Sequence, residues 1–299
     1  MCPVGAVSVK FLTLTCHTGR VNAVRPHSLT LTGRFVQLQP LGSAVLPDLA
    51  RAIAHPEVFA AGYGGGPAAL QRDVDGFIKW AHDYFQWEAL PYVVRLLGGP
   101  NDGDVVGTTT LGDIDVDKEA IHLGWTAYDP RVWGTPVNAE TKLLVLGTAF
   151  DNGFGRVKIQ ADALNERSRT AILGIGATFE GVVRRDCPRA DGTWRDSAVY
   201  SILADEWPVV RAGLQARLDA FAGRFVTYRD LRPAGPSGTI LGGGPRGGLG
   251  RVTGNAPGAP DVPDVPDVPG VPDVPDVPGV PDVPDAPDAE RNAGADASP

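Results

Sequence analysis

Residues 129–144, DPRVWGTPVNAETKLL, join an Asp-Pro turn, an arginine, a glycine and a run of helical periodicity. A loop that enters a helix this way offers backbone N–H groups without partners and the positive end of the helix dipole, so it attracts phosphate. Gly134 permits positive φ or close backbone approach, and Arg131 adds a charge. Thr135 and Pro136 suit the N-cap and first helical position, so ordinary capping accounts for the same residues. On the strand before the loop, His122 is a side chain that titrates near neutrality. Beyond it, NERS offers Asn165 and Ser168, a pair that reads equally well as a helix cap with its N3 residue. The three cysteines, Cys2, Cys16 and Cys187, have neither CxxC spacing nor a nearby histidine pair. They argue against a disulfide framework or a zinc site and fit a reducing cytoplasm.

The elements that must position these residues follow from periodicity. GRFVQLQPL reads as a first strand, AVLPDLARAIAHP and PAALQRDVDGFIKWAHDYF as amphipathic helices, and PYVVRLL, DVVGTTTLGDID and AIHLGWT as closely spaced strands suited to hairpins. After the loop and its helix come the strand RVKIQAD, the short helix of NERSRTAILGIG, the strands TFEGVVRR and WRDSAVYSILADEW, and the proline-started helix PVVRAGLQARLDAF. This order describes a mixed α/β body with one strand–loop–helix crossover at its centre.

Composition divides the 299 residues. Residues 1–30 lack periodicity and read as a loose extension, 31–222 as the folded body, 223–260 as a Gly-rich linker, and 261–299 as an Asp/Val/Pro repeat. Proline at every third position excludes helix and central strand, so the repeat is expected to be an extended, disordered tail. Residues 235–299 hold ten acids against three arginines, a net of −7 out of the chain's −8, which leaves the body near −1. A near-neutral body has no basic footprint for nucleic acid, and the tail is repelled by phosphates and anionic lipid. The start lacks a basic n-region, and no apolar run approaches the roughly 18 residues of a bilayer span. The expectation is a cytoplasmic protein with no nucleic-acid or membrane partner.

With its flanking segments, the 129–144 stretch resembles the acetyl-CoA site of the GNAT N-acetyltransferases, in the RimJ/RimL-like branch that acetylates protein N-termini and other small amines. The resemblance runs over about residues 33–218. Arg131, Val132, Trp133, Gly134, Thr135 and Pro136 fall on the family's Q/R-x-x-G-x-G/A diphosphate loop, Asn165 and Ser168 on its N-x-x-S element, and GATFEGVVRR on its G-F-x-x-E-G strand. One departure stands out. Pro136 replaces the final Gly or Ala, so one N–H donor is missing, at a cost on the order of 1 kcal/mol.

The resemblance implies a GNAT-like fold: a central, mixed, mostly antiparallel twisted sheet of about seven strands flanked by helices, splayed between strands four and five. In that gap Gly124, Trp125 and Thr126 are expected to line the pantetheine arm. It implies acetyl-CoA as co-substrate, no metal, and direct attack by a primary amine. Ser168 is the expected acid near the sulfur, with Asn165 on the pantetheine amide; His122 is the candidate base and Tyr200 a further candidate acid. Glu180 and Asp196 are placed to orient the amine or relay its proton. A homodimer and a protein partner for the tail stay open. The competing reading is a silent acyl-CoA-binding module whose proline-rich tail docks a partner.

Overall fold

The computed structural model describes residues 23–231. The expectations for residues 1–22 and 232–299, the repeat included, lie outside the described residues. From the N-terminus the strands are β1 (Leu31–Thr32), β2 (Val36–Pro40), β3 (Leu90–Leu96), β4 (Val105–Asp115), β5 (Ala120–Tyr128), β6 (Arg156–Asp162), β7 (Thr178–Pro188) and β8 (Trp194–Leu203). The helices are α1 (Leu46–Ile53), α2 (Pro56–Phe59), α3 (Val74–Tyr84), α4 (Val137–Asp151), α5 (Glu166–Gly174) and α6 (Trp207–Asp219).

All eight strands join one sheet in the order β1-β2-β3-β4-β5-β6-β8-β7. The seven strands expected from sequence are present, and β1 adds a two-residue edge. Every neighbouring pair is antiparallel except β5 and β6, which the α4 crossover makes parallel. Each face of the sheet has its own core. One packs α4 and α6 against Ile121, Leu123, Val157 and Ile159; the other packs α1 and α3 against Val93, Val105 and Ala127.

Local chemistry fixes the helices. Asp73 caps α3 by accepting from the Gly76 N–H at 2.7 Å. The α1 helix buries Leu46, Leu49, Ala50 and Ile53 at three- and four-residue spacing. The α4 helix begins at Val137 with Pro136 in the cap position, one residue later than the sequence suggests. It is held to the sheet by Glu140, a buried carboxylate that accepts from the backbone N–H groups of Arg34, Phe35 and Val36 at 2.6 to 2.8 Å. Those bonds satisfy the charge in place of solvent.

Residues 223–231, which composition assigns to the linker, lie along the body. Val226 is buried, the Phe225 ring covers Gly98 and Gly99, the Tyr228 hydroxyl donates to Asp104 at 2.9 Å, and the Arg229 N–H donates to the Arg131 carbonyl at 3.1 Å.

Candidate active site

The central gap originates in a count of residues. On β4 one residue, Thr109, separates the partners of Ala127 and Gly124; on β5 two residues, Trp125 and Thr126, fill the same interval. The extra residue makes a β-bulge, and Trp125 adopts φ +49°. Pairing between β5 and β6 stops at Leu123 and Ile159, although β5 runs on to Tyr128 and β6 to Asp162. A cavity of about 530 Å³ occupies this splay and is lined by both strand ends, the start of α4, the first turns of α5, the loop before α3 and the β7–β8 hairpin.

At one end lies the α4 entry loop. Gly134 sits at φ +79° with open space where a side chain would project, as a backbone approached by a ligand requires. Trp133 is pinned by its Nε1, which donates to the Tyr128 carbonyl at 3.0 Å. The Arg167 guanidinium lies 3.4 Å over the Trp133 ring, and that of Arg229 lies 6.0 Å from it. Burial and the nearby Arg229 charge both push the Arg167 pKa down, so two cations gather here. Arg131 is not one of them. Its side chain turns away to grip the buried Asp129 carboxylate, with Nη2 at 2.6 Å, and stacks on Tyr228 at 3.9 Å. Val132 and Gly134 line the cavity; Thr135 instead donates its hydroxyl to the Val132 carbonyl at 2.6 Å.

Lys142, two turns into α4, stands beneath the gap. Its Nζ donates to the Thr126 hydroxyl at 2.9 Å, and Thr126 in turn shares a hydrogen bond with Thr109 at 2.8 Å. Burial pushes the amine down to about 7, because its charge loses hydration there.

His122 marks the other end. Its Nδ1 lies 2.9 Å from Asp113, which also accepts from Gln86 at 2.8 Å and has Lys158 at 3.6 Å. The His122 hydrogen bond holds the Asp113 carboxyl far below the usual carboxylate range. Burial pushes the His122 pKa down against the raising effect of Asp113, which keeps the ring neutral at pH 7. An ionised Asp113 accepts the Nδ1 proton, leaving the lone pair on Nε2. That atom is buried with no hydrogen-bond partner. A methyl on Gly124 would fall 2.9 Å from it, so Nε2 rests against the first residue beyond the last β5–β6 pair. Asp113 was not singled out from sequence. The signal was in the hairpin register, which sets Gly112 opposite His122.

The remaining sequence candidates divide. Trp125, Thr126, Trp133, Asn165 and Ser168 line the cavity. Asn165 is already committed: its Oδ1 caps α5 by accepting from the Ser168 N–H at 2.9 Å, and its Nδ2 donates to the Ala61 carbonyl at 2.7 Å. The structure does not bring Tyr200, Glu180 or Asp196 to the cavity. Tyr200 is fully buried with its hydroxyl on Arg169 and its ring against Phe179. Glu180 pairs with Arg156 and Ser201, and Asp196 accepts from the Arg185 N–H at 2.8 Å. On β7 and β8 the cavity is lined by Cys187, Pro188 and Arg195 near the hairpin turn, whereas these three side chains are held by partners elsewhere. Cys187 lines the cavity, but burial pushes its thiol up, away from a thiolate nucleophile.

Residues 36–178 match the family model described as an acetyltransferase (GNAT) domain. A solved protein from T. thermophilus, described as an acetyltransferase, is 32% identical, with 63% of this chain and 96% of that one covered and a TM-score of 0.57. A GCN5-related N-acetyltransferase from Brucella melitensis is 25% identical over 66% of this chain and 88% of its own, with a TM-score of 0.58. Mycobacterium smegmatis RimJ, solved in complex with CoA-disulfide, shares the fold at 19% identity and a TM-score of 0.53, over 65% and 97% of the two chains. The search of curated proteins gives no match.

Proposed function

The chain belongs to the GNAT acetyltransferases, and from that premise we propose that it transfers acetyl from acetyl-CoA to a primary amine by direct attack in a ternary complex. Acetyl-CoA supplies an acetyl carbon already activated as a thioester, so the residues have to align an amine with it and manage one proton. Two features favour its fit. The edges of β5 and β6 beyond Leu123 and Ile159 lack each other as strand partners and border the cavity, which suits an amide-bearing arm. At the far end, Gly134, the start of α4, and the cations Arg167 and Arg229 suit phosphate. Pro136 withholds one donor there, and the arginine pair offsets the loss.

His122 acts as the general base. Asp113 fixes the tautomer, and the Nε2 lone pair takes the proton from the attacking nitrogen. Ser168, on the first turn of α5 within the cavity, is assigned to the leaving sulfur as its proton donor. Asn165 positions Ser168 by capping its helix, in place of the cofactor contact expected for it. The catalytic unit is assigned to residues 31–222 together with the docked segment that carries Arg229.

The buried, unpartnered His122 Nε2 at the mouth of the gap carries this reading. It also favours turnover over a silent binding module, since a binding site gains nothing from an oriented base. Calorimetry with acetyl-CoA, followed by thiol release in the presence of a panel of primary amines, tests it. Binding with His122-dependent thiol release is expected; absence of binding overturns the reading.

A further inference from the structure

The loop between α2 and α3 reads AGYGGGP, and its glycines Gly62, Gly64, Gly65 and Gly66 all have positive φ, between +63° and +106°. Two of them also make close approaches. A methyl at Gly62 would stand 2.6 Å from Asp162, and one at Gly64 would stand 2.5 Å from Trp80. This strap is stitched down along its length. Ala61 accepts from Asn165 Nδ2 at 2.7 Å, the Gly64 N–H reaches the Tyr84 oxygen, and the Gly65 carbonyl accepts from the Ala190 N–H at 3.0 Å. Beneath it, Arg189 pairs with the buried Asp162 at 2.6 Å. Ala190 belongs to the β7–β8 hairpin, so the strap and the hairpin, which both line the cavity, are joined to each other across its acceptor end.

Val58, Tyr63, Tyr84 and His122 line the cavity here, with the Arg189–Asp162 pair and Arg195 on the hairpin side. The Tyr63 and Tyr84 rings meet edge to face at 5.4 Å, and Trp80 stacks behind Tyr84 at 4.5 Å. The Tyr63 hydroxyl is buried with no partner of its own. A buried hydroxyl in that condition costs free energy until something meets it. The same cavity of about 530 Å³ also has to admit the thioester end of the donor, so the volume left for an acceptor is small.

From this we infer that the acceptor is a compact primary amine with an aromatic or apolar body and one polar group for the Tyr63 hydroxyl, seated beneath the bridge between residues 62–66 and the β7–β8 hairpin. A polypeptide N-terminus is disfavoured, because the Gly65–Ala190 hydrogen bond closes the space between the strap and the hairpin to the residues after it. The inference rests on the transferase reading above. In the step itself the amine nitrogen bonds to the acetyl carbon, His122 Nε2 takes the nitrogen's proton, the carbon–sulfur bond breaks, and the leaving sulfur takes the Ser168 proton to become the thiol of coenzyme A; the His122 proton then returns to Ser168 through solvent.

The test compares tyramine, phenethylamine and an alanine-started hexapeptide by thiol release with the full chain. The compact amines are expected to exceed the peptide in kcat/KM by about 100-fold, tyramine leading, a margin that a shaped pocket with one matched hydroxyl can supply. The Ala190→Pro variant removes the N–H that bonds Gly65 and places proline second in the turn closed by Gly192 and Arg189, where it is well tolerated. It should raise peptide turnover about tenfold and leave phenethylamine within about twofold. Equal use of peptide and compact amines by the wild type, or an unchanged ratio in Ala190→Pro, overturns the inference while leaving the transferase reading intact. Acetyl-CoA binding with no thiol released for any amine overturns both.

Discussion

The two ends of the cavity are built from opposite materials. Around Trp133 the groups are charged and exposed, Arg167 and Arg229, beside the open backbone of Gly134. Around His122 they are imidazole or aromatic, buried or half-buried, and each is fixed by a neighbour. An exposed cation attracts a phosphate from any of several rotamers, and salt screens the attraction. A buried base works from one geometry in a low dielectric. The first end should therefore tolerate substitution and the second should not.

The largest effect is expected from His122→Ala, which should lower kcat by about 100- to 10,000-fold and leave acetyl-CoA affinity nearly unchanged. A matching loss of affinity, read by calorimetry, would erase the distinction between the ends. Lys142, between them, sharpens it from the side of stability. Its pKa is about 7 folded against 10.5 in the open chain, so between these values the unfolded state binds more protons. Stability should rise with pH across that window. Lys142→Met should abolish the rise and stabilise the fold at pH 7 by a few kcal/mol, as denaturant melts at pH 7 and pH 9 would show.

Asp113→Asn is expected to cost about tenfold in kcat. Because Asp113 raises the His122 pKa, its loss should move the acidic limb of the pH–rate profile to lower pH. A limb that stays in place would leave Asp113 a structural partner only. At the other end, Arg167→Ala together with Arg229→Ala should raise the KM for acetyl-CoA about tenfold with kcat held, and flatten its dependence on salt. Deleting residues 235–299 should change neither parameter, whereas ending the chain at residue 223 should reproduce the Arg229 effect.

What could be read from sequence was whatever depends on short range. The strands, the amphipathic helices and the glycine before α4 follow from neighbouring residues, and the gap between β5 and β6 followed from the family resemblance. The misplacements share a physical cause. Which way a strand residue faces depends on register and on the irregularities within the β4–β5 and β7–β8 pairs, so Asp113 was overlooked and Tyr200, Glu180 and Asp196 were brought to a site they do not reach. Arg131 looked available because its sequence neighbours are; only the folded chain shows Asp129 gripping it. Arg229 lies 98 positions further on and is returned to the loop by contacts of Phe225, Val226 and Tyr228 that no local pattern encodes.

The bulge has a kinetic consequence. With one residue more on β5 than on β4, β5 bends where it parts from β6, and straightening it to pair with β6 beyond Leu123 would demand a different register in the β4–β5 hairpin. The slot is thus cut into the covalent order of the chain, and a newcomer meets it already open. Donor association should then proceed in a single step whose rate climbs linearly with concentration, without the plateau that a gate would impose.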